Sequence, residues 1–262
     1  MTIALSYLDD LGRVRITVTD LPSGTVTVER SPNGSTLWEP VRGGVELPIS
    51  GGEATLDDYE YYAGAETHYR VVGDDQGSIV VSDQRVWLKS IRYPMLNRPI
   101  TVVDWGAISR ASRDTTHAVV GRSAPVAVSD SRLLPAFTLE IATDDYADPS
   151  VDPVPQAAAI ELMLAAGGVL LVHVPAGMPV PGGYVAVGAT AMNRVVPHGQ
   201  VPRVWELPCQ TVAPPGPDVL PTTLTWATIR RLYGSWTATV AAHPEWGALL
   251  ADVGDPEDLV VI

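Results

Sequence analysis

Phenylalanine, lysine and cysteine occur once each in the 262 residues, as Phe137, Lys89 and Cys209. A lone cysteine excludes an intrachain disulfide and a thiolate metal cluster, and leaves a buried, inert thiol as the simplest state of Cys209. The single lysine lies outside any G-x-x-x-x-G-K-[ST] context, which excludes a phosphate-cradling loop of that kind. Basic residues are few, 17 against 30 acidic, for a net charge of −13. The densest basic group, Arg85, Lys89, Arg92 and Arg98, is spread over fourteen positions. Such a balance repels phosphate backbones, so sequence-specific nucleic-acid binding is not expected. Charged residues make up 18% of the chain and hydrophobic ones 46%, the balance of a folded protein and not of a disordered tail.

Charge is absent altogether from Leu162 to Met192, but Gly167, Gly168, Pro175, Pro179, Pro181, Gly182 and Gly183 interrupt that stretch. Its longest clean run falls short of the roughly 20 residues that a spanning helix needs, so it reads as core and no membrane span is expected. The opening MTIALSYLDDLGRV lacks a basic region followed by an apolar run, so no signal peptide is expected.

Regular structure is present throughout. RVRITVTD (13–20), TVTVER (25–30), THYRVV (67–72), SIVVS (78–82) and RVWL (85–88) read as short strands. Turn signals such as Leu21-Pro22-Ser23-Gly24 and Pro32-Asn33-Gly34 separate them, and this spacing predicts an antiparallel β-sandwich over 1–90. A second unit, 91–212, repeats strand-like segments: ITVVDW (100–105), THAVVG (116–121), PVAVSD (125–130), AFTLEIAT (136–143), VLLVHV (169–174), GYVAVGATAMNRV (183–195) and PRVWELPCQTV (202–212). Between them Pro155 starts, and Gly167-Gly168 stop, a helix over 155–166. A proline-rich linker, 213–221, leads to a tail over 222–262.

That tail carries Trp226, Trp236 and Trp246 at intervals of ten. Ten residues turn a helix through about 1000°, leaving successive indoles roughly 80° apart, so separate short helices fit better than one. Thr225 and Ser235 suit N-caps, and Pro244-Glu245 suits a first helical turn. Two readings stay open: a helical cap on the chain's own domain, or a surface that packs on another subunit.

Catalytic signals are poor. H-E-x-x-H is missing and the five histidines are scattered; His173 within LVHV reads as a core histidine. Gly121-Arg122-Ser123-Ala124-Pro125 lacks the second glycine of a nucleophile elbow, and Pro125 opposes the helix that should follow. Asp144, Asp145, Asp148 and Asp152 lack the alternation of a calcium loop and read as a solvated helix lead-in. Asp252, Asp255, Glu257 and Asp258 read as solvated surface near the chain end. Trp38, Tyr59, Tyr61 and Tyr62 form a candidate glycan-contact set, with division between core and cross-strand pairs as the alternative. No catalytic residue, metal or cofactor is assigned.

Two resemblances add to this. DYEYYAGAETHYRVV (58–72) resembles the late-strand region of fibronectin type III or immunoglobulin-like modules, with Thr67 where the corner tyrosine usually stands and Tyr69 two places on. VVGRSAPVAVSD (119–130), PGGYVAVG (181–188), APPGPDV (213–219) and the W-x-x-[LIV] repeat resemble minor tail proteins of long-tailed actinobacterial phages, over roughly 85–262. That resemblance implies a mainly β fold in which a tail-tube-like β-barrel or sandwich with one helix follows the N-terminal sandwich. It implies a virion structural protein of the tail tip or baseplate, without enzymatic activity, made in the host cytoplasm and assembling as a ring around the tail channel. Its partners would be itself and other tail proteins, with Trp226, Trp236 and Trp246 at the assembly interface. The alternative is a carbohydrate-binding adhesion module of the tail recognising a host-surface glycan.

Overall fold

The computed structural model describes residues 1–34, 36–73, 76–121, 123–143, 153–194, 203–216, 219 and 235–242. The chain is mainly β. Its N-terminal part opens with β1 (Thr2–Leu8) and β2 (Arg13–Thr19), a strand pair joined by a tight turn at Asp9–Gly12. A short ribbon pairs β3 (Thr25–Val26) with β6 (Leu47–Pro48). Between and beyond these lie β4 (Val28–Ser31), β5 (Glu39–Pro40), β7 (Ala54–Asp58), β8 (Glu66–Val71) and β9 (Gln76–Val80). One antiparallel sheet runs β1-β2-β7 and the other β5-β4-β8-β9. Alternation sets their inner faces: Val14, Ile16 and Val18 on β2 are fully buried and pack with Val28, Tyr69 and Val71 of the facing sheet. At the β7–β8 corner the Thr67 hydroxyl accepts the Tyr62 amide at 2.9 Å, while the Tyr69 hydroxyl donates to Asp58 at 2.8 Å.

A barrel follows. Its strands are β10 (Val86–Ser90), β11 (Arg98–Trp105), β14 (Ala136–Thr143), β15 (Val169–His173), β16 (Gly183–Val187) and β18 (Arg203–Thr211). They pair in the order β14-β11-β10-β15-β16-β18, and a β14–β18 pairing closes the ring of six. β17 (Ala191–Arg194) adds to β18 as a flap with an outer edge that no described strand covers. Closure removes the sheet edges that an open arrangement of these strands would expose. Helix α1 (Pro153–Ala166) seals the barrel core: Ile160 and Met163 are fully buried with Leu88, Leu139, Ile141, Trp205 and Leu207. Gly167 ends α1 in the left-handed region at φ 67°, its amide bonding the Leu164 carbonyl at 3.2 Å.

Four expectations need correction. Val86–Ser90 belongs to the barrel, paired with β11 and β15, so the first unit ends before it and not at residue 90. All five residues are buried, because one face lines the barrel and the other abuts the sandwich; the alternation that marks a one-sided strand is therefore absent. The segments at 116–121 and 125–130 do not join the main sheet. They form β12 (Thr115–His117) and β13 (Val126–Val128), which pair only with each other among the described strands. Residues 213–216 and 219 do not run free as a linker: the Arg42 guanidinium donates to the carbonyls of Pro215, Gly216 and Val219 at 3.2, 2.7 and 3.0 Å. The helix also starts two residues earlier than expected, at Pro153.

Among the described residues no helix is long and apolar enough to cross a membrane. Trp226 and Trp246, together with Asp144–Asp152, lie outside the described residues. Trp236 opens a seven-residue helix, α2 (Trp236–Ala242), with its indole half exposed at 49%. Ser235 caps it as expected, its hydroxyl accepting the Ala238 amide at 3.3 Å.

Candidate functional site

Two features stand apart from ordinary core: the junction between sandwich and barrel, and an exposed arm. At the junction the barrel donates and the sandwich backbone accepts. Lys89, fully buried on β10, gives its ammonium to the carbonyls of Gly12 and Tyr59 at 2.6 and 2.8 Å. The Asn97 amide reaches the Leu11 carbonyl at 3.4 Å, His173 reaches the Tyr61 carbonyl at 2.6 Å, and the Ala176 backbone amide reaches that of Ala63 at 2.8 Å. The Lys89 ammonium also sits 4.5 Å from the centre of the Tyr61 ring. Burial opposes its charge and lowers its pKa from 10.5 to about 7, although Asp58 and Asp83 pull the other way. Burial, and then the Lys89 charge, hold His173 well below its usual value and keep it neutral. A carbonyl only accepts, so its Nε2 carries the proton; Nδ1 is buried without a partner among the described residues.

An ion network lies beside this. Arg30, nearly buried, pairs with Asp58 at 2.6 Å and Glu39 at 2.8 Å, and Glu60 takes Arg42 at 3.1 Å and the Tyr184 hydroxyl at 2.8 Å. Burial disfavours the Glu60 charge, but Arg30 and Arg42 outweigh it and lower its pKa below the usual carboxylate value. On the connector, Asp83 accepts from Tyr7, Arg85 and Trp87. Burial is outweighed there too, above all by the Arg85 hydrogen bonds, and the Asp83 pKa falls. A groove of about 1150 Å³ runs along the junction, with Tyr62, Val45, Val174, Tyr184 and Pro215 among the residues that line it. Its charged groups, Arg30, Arg42, Glu39 and Glu60, pair with one another. The bonds of Lys89, Asn97, His173 and Ala176 to sandwich carbonyls, and of Tyr184 to Glu60, fix the two units against each other.

The arm is the connection from β11 to β14. Every described residue from Val103 to Leu134 is exposed. Its root is zipped by paired Ser109 and Ala136 backbone bonds, both 2.8 Å, and its ribbon by the β12–β13 ladder. Ile108, Val119, Val120, Val126, Val128, Leu133 and Leu134 face solvent, Val120 at 102%. Ser123 lies in the exposed turn between β12 and β13, without the strand-to-helix turn of a nucleophile elbow. A two-stranded ribbon with no apolar face covered is marginally stable in water at best.

The aromatic set separates. Tyr59 and Tyr61 are buried at 8% and 2%, so they offer no ring face to a glycan, and that assignment is corrected for both. Tyr61 stands edge-on to His173 and Tyr7, because the junction needs a large side chain over Lys89. Trp38 is half-buried under the Arg70 guanidinium at 4.2 Å, and Tyr62 bonds Glu39 at 3.2 Å. The four do not form one open face. Cys209 is buried in the barrel core, where burial raises its thiol pKa to about 11. Among the described residues no cluster of three or more His, Cys, Asp or Glu side chains suits a metal ion. Sequence reasoning missed Lys89 as the junction donor and missed the arm as a separate element. Its own rarity was the signal for Lys89: a lone lysine inside an apolar run, VWLKS.

No protein-family model matches the chain, and no curated protein matches it either.

Proposed function

We propose that this chain is a structural subunit of a phage tail tip or baseplate, a distal-tail-like or minor tail protein of a long-tailed actinobacterial phage, that joins copies of itself in a ring around the tail channel. The observation that carries the reading is the arm, whose apolar side chains and ribbon lack a cover within the described chain. Covering a large aliphatic side chain stabilises by roughly 1.5–3 kcal/mol, so an arm bearing seven of them in solvent is an element awaiting a partner surface. Two further features support it. The six-strand barrel sealed by α1 suits a tail-tube-like unit, and the three-plus-four sheet order before it suits a fibronectin III-like decoration. A net charge of −13 suits a channel that passes DNA without holding it. The other tail proteins are its remaining partners, and the virion is its location.

Light scattering and negative-stain imaging of the full-length protein test this. The expected result is a closed oligomer with a central hole, reduced to a monomer by Val120→Asp. A full-length protein that stays monomeric at every concentration sinks the reading.

A further inference from the structure

The outer face of the barrel carries an unusual row. Asp104 on β11, Glu140 on β14 and Glu206 on β18 are successive cross-strand partners, Asp104 opposite Glu140 and Glu140 opposite Glu206. Their neighbours Leu139, Ile141, Trp205 and Leu207 point into the core, so Glu140 and Glu206 point out, as the strand period requires. Like charges directly opposite one another destabilise a sheet. None of the three makes an ion pair among the described residues: Asp104 accepts its neighbour's amide from Trp105, and Glu206 accepts from Asn193 at 2.7 Å. Among the described residues the row lacks a countercharge.

The arm carries one in surplus. Residues 106–135 hold Arg110, Arg113, Arg122 and Arg132 against Asp114 and Asp130, a net +2 in a chain of −13, so the remainder carries −15. Arg113 pairs with Asp130 at 3.4 Å, whereas the exposed Arg110 and Arg132 make no ion pair among the described residues. Within one chain Arg110, Arg132 and Asp104 all lie in solvent, and among the described residues no arginine of the arm pairs with the row.

We propose that the arm of one copy lies across the outer barrel face of a second copy, with Arg110 and Arg132 neutralising the Asp104–Glu140–Glu206 row and the arm's aliphatic side chains covered by the same contact. This rests on the self-assembly reading above and names its contact surface. The two surfaces differ, so the contact is heterologous, and repetition around an axis closes a ring. The carboxylate row also explains specificity: a basic arm fits it, and a second acidic surface is repelled.

Charge reversal tests it on the full chain. One variant carries Arg110→Glu with Arg132→Glu, the other Glu140→Arg with Glu206→Arg, each checked for retained β structure by circular dichroism. Each variant alone is expected to elute as a monomer, and an equimolar mixture to associate into oligomers of alternating variants, because each arm then meets a complementary row. If both variants keep the wild-type mass, or the mixture stays monomeric, the assigned surface is wrong. A Val120→Asp monomer beside fully assembled charge variants would sink this contact while the self-assembly reading stands. A monomeric wild type would sink both.

Discussion

Lys89 shows how a single side chain can set the pH response of a whole molecule. Its pKa is depressed in the fold to about 7 from 10.5, so between those values the folded chain binds fewer protons than the unfolded one. The stability it contributes is greatest above pH 10.5, falls as pH drops through that window, and is flat below about 7. Lys89→Met removes this dependence and leaves the Gly12 and Tyr59 carbonyls without their donor, each worth about 1–3 kcal/mol. The gap in urea stability between wild type and variant should therefore widen with pH above 7, by at most about 1.4 kcal/mol per unit. A gap that is constant from pH 7 to 10 would show that Lys89 does not titrate in the fold. Gly12 is the companion test. It sits at φ 60° with the Trp87 ring 2.9 Å from where a Cβ would be, so Gly12→Ala strains the backbone and pushes on the ring. Its expected cost is about 1–3 kcal/mol, read as a lowered denaturation midpoint at unchanged slope.

At the scale of elements, pairing partner decides more than strand propensity does. The β12–β13 ribbon is β-branched and alternates like any strand, yet it touches no core. In the monomeric Val120→Asp variant its amides at 115–117 and 126–128 should exchange with solvent at rates close to those of an open chain. In the assembled wild type they should be protected by at least tenfold; equal rates in both forms would mean the arm stays uncovered in the oligomer. This is also where sequence reading runs out. The alternation of RVRITVT revealed β2, and the AAA and LMLAA stretches with two terminating glycines revealed α1, because a one-sided surface and a cap leave a local trace. RVWL is legible as a strand but reads into the wrong unit, since a strand covered on both faces carries no one-sided alternation to say what it packs against. β1 and β7 went unassigned: TIALSYL follows the chain start without a turn signal before it, and ATLDD is short and ends in carboxylates. Thr115–His117 and Val126–Val128 read as strands but not as an arm, because only long-range packing says what a strand pairs with. Candidate residues fared likewise: Trp38 and Tyr62 reach the surface while Tyr59 and Tyr61 do not, and only the register of neighbouring strands separates them.

For the whole molecule, the junction determines whether sandwich and barrel behave as one body. Four donors from the barrel meet five carbonyls of the sandwich, at Leu11, Gly12, Tyr59, Tyr61 and Ala63, with Lys89 serving two of them and Asn97, His173 and Ala176 the others. Arg42 adds a second tie on the other side, holding the segment that leaves β18 through three of its carbonyls and braced by Glu60. Breaking the units apart would expose a buried ammonium, a buried imidazole and the Trp87 ring together, so partial separation has no stable intermediate geometry. In the proposed ring such a body would hold the root of each arm, at the Ser109–Ala136 bonds, at one angle to the sandwich, and the contact with the next copy would order the ribbon beyond it. Thermal unfolding of the monomeric Val120→Asp variant should then show one cooperative transition, with calorimetric and van't Hoff enthalpies in agreement. Adding Lys89→Met weakens the junction while leaving the apolar side chains of both cores in place, and should split that transition into two, the lower one reporting the less stable unit. Two transitions in the Val120→Asp protein itself would show that the junction does not couple the units, and the ring angle would then have to be set by the arm contact alone.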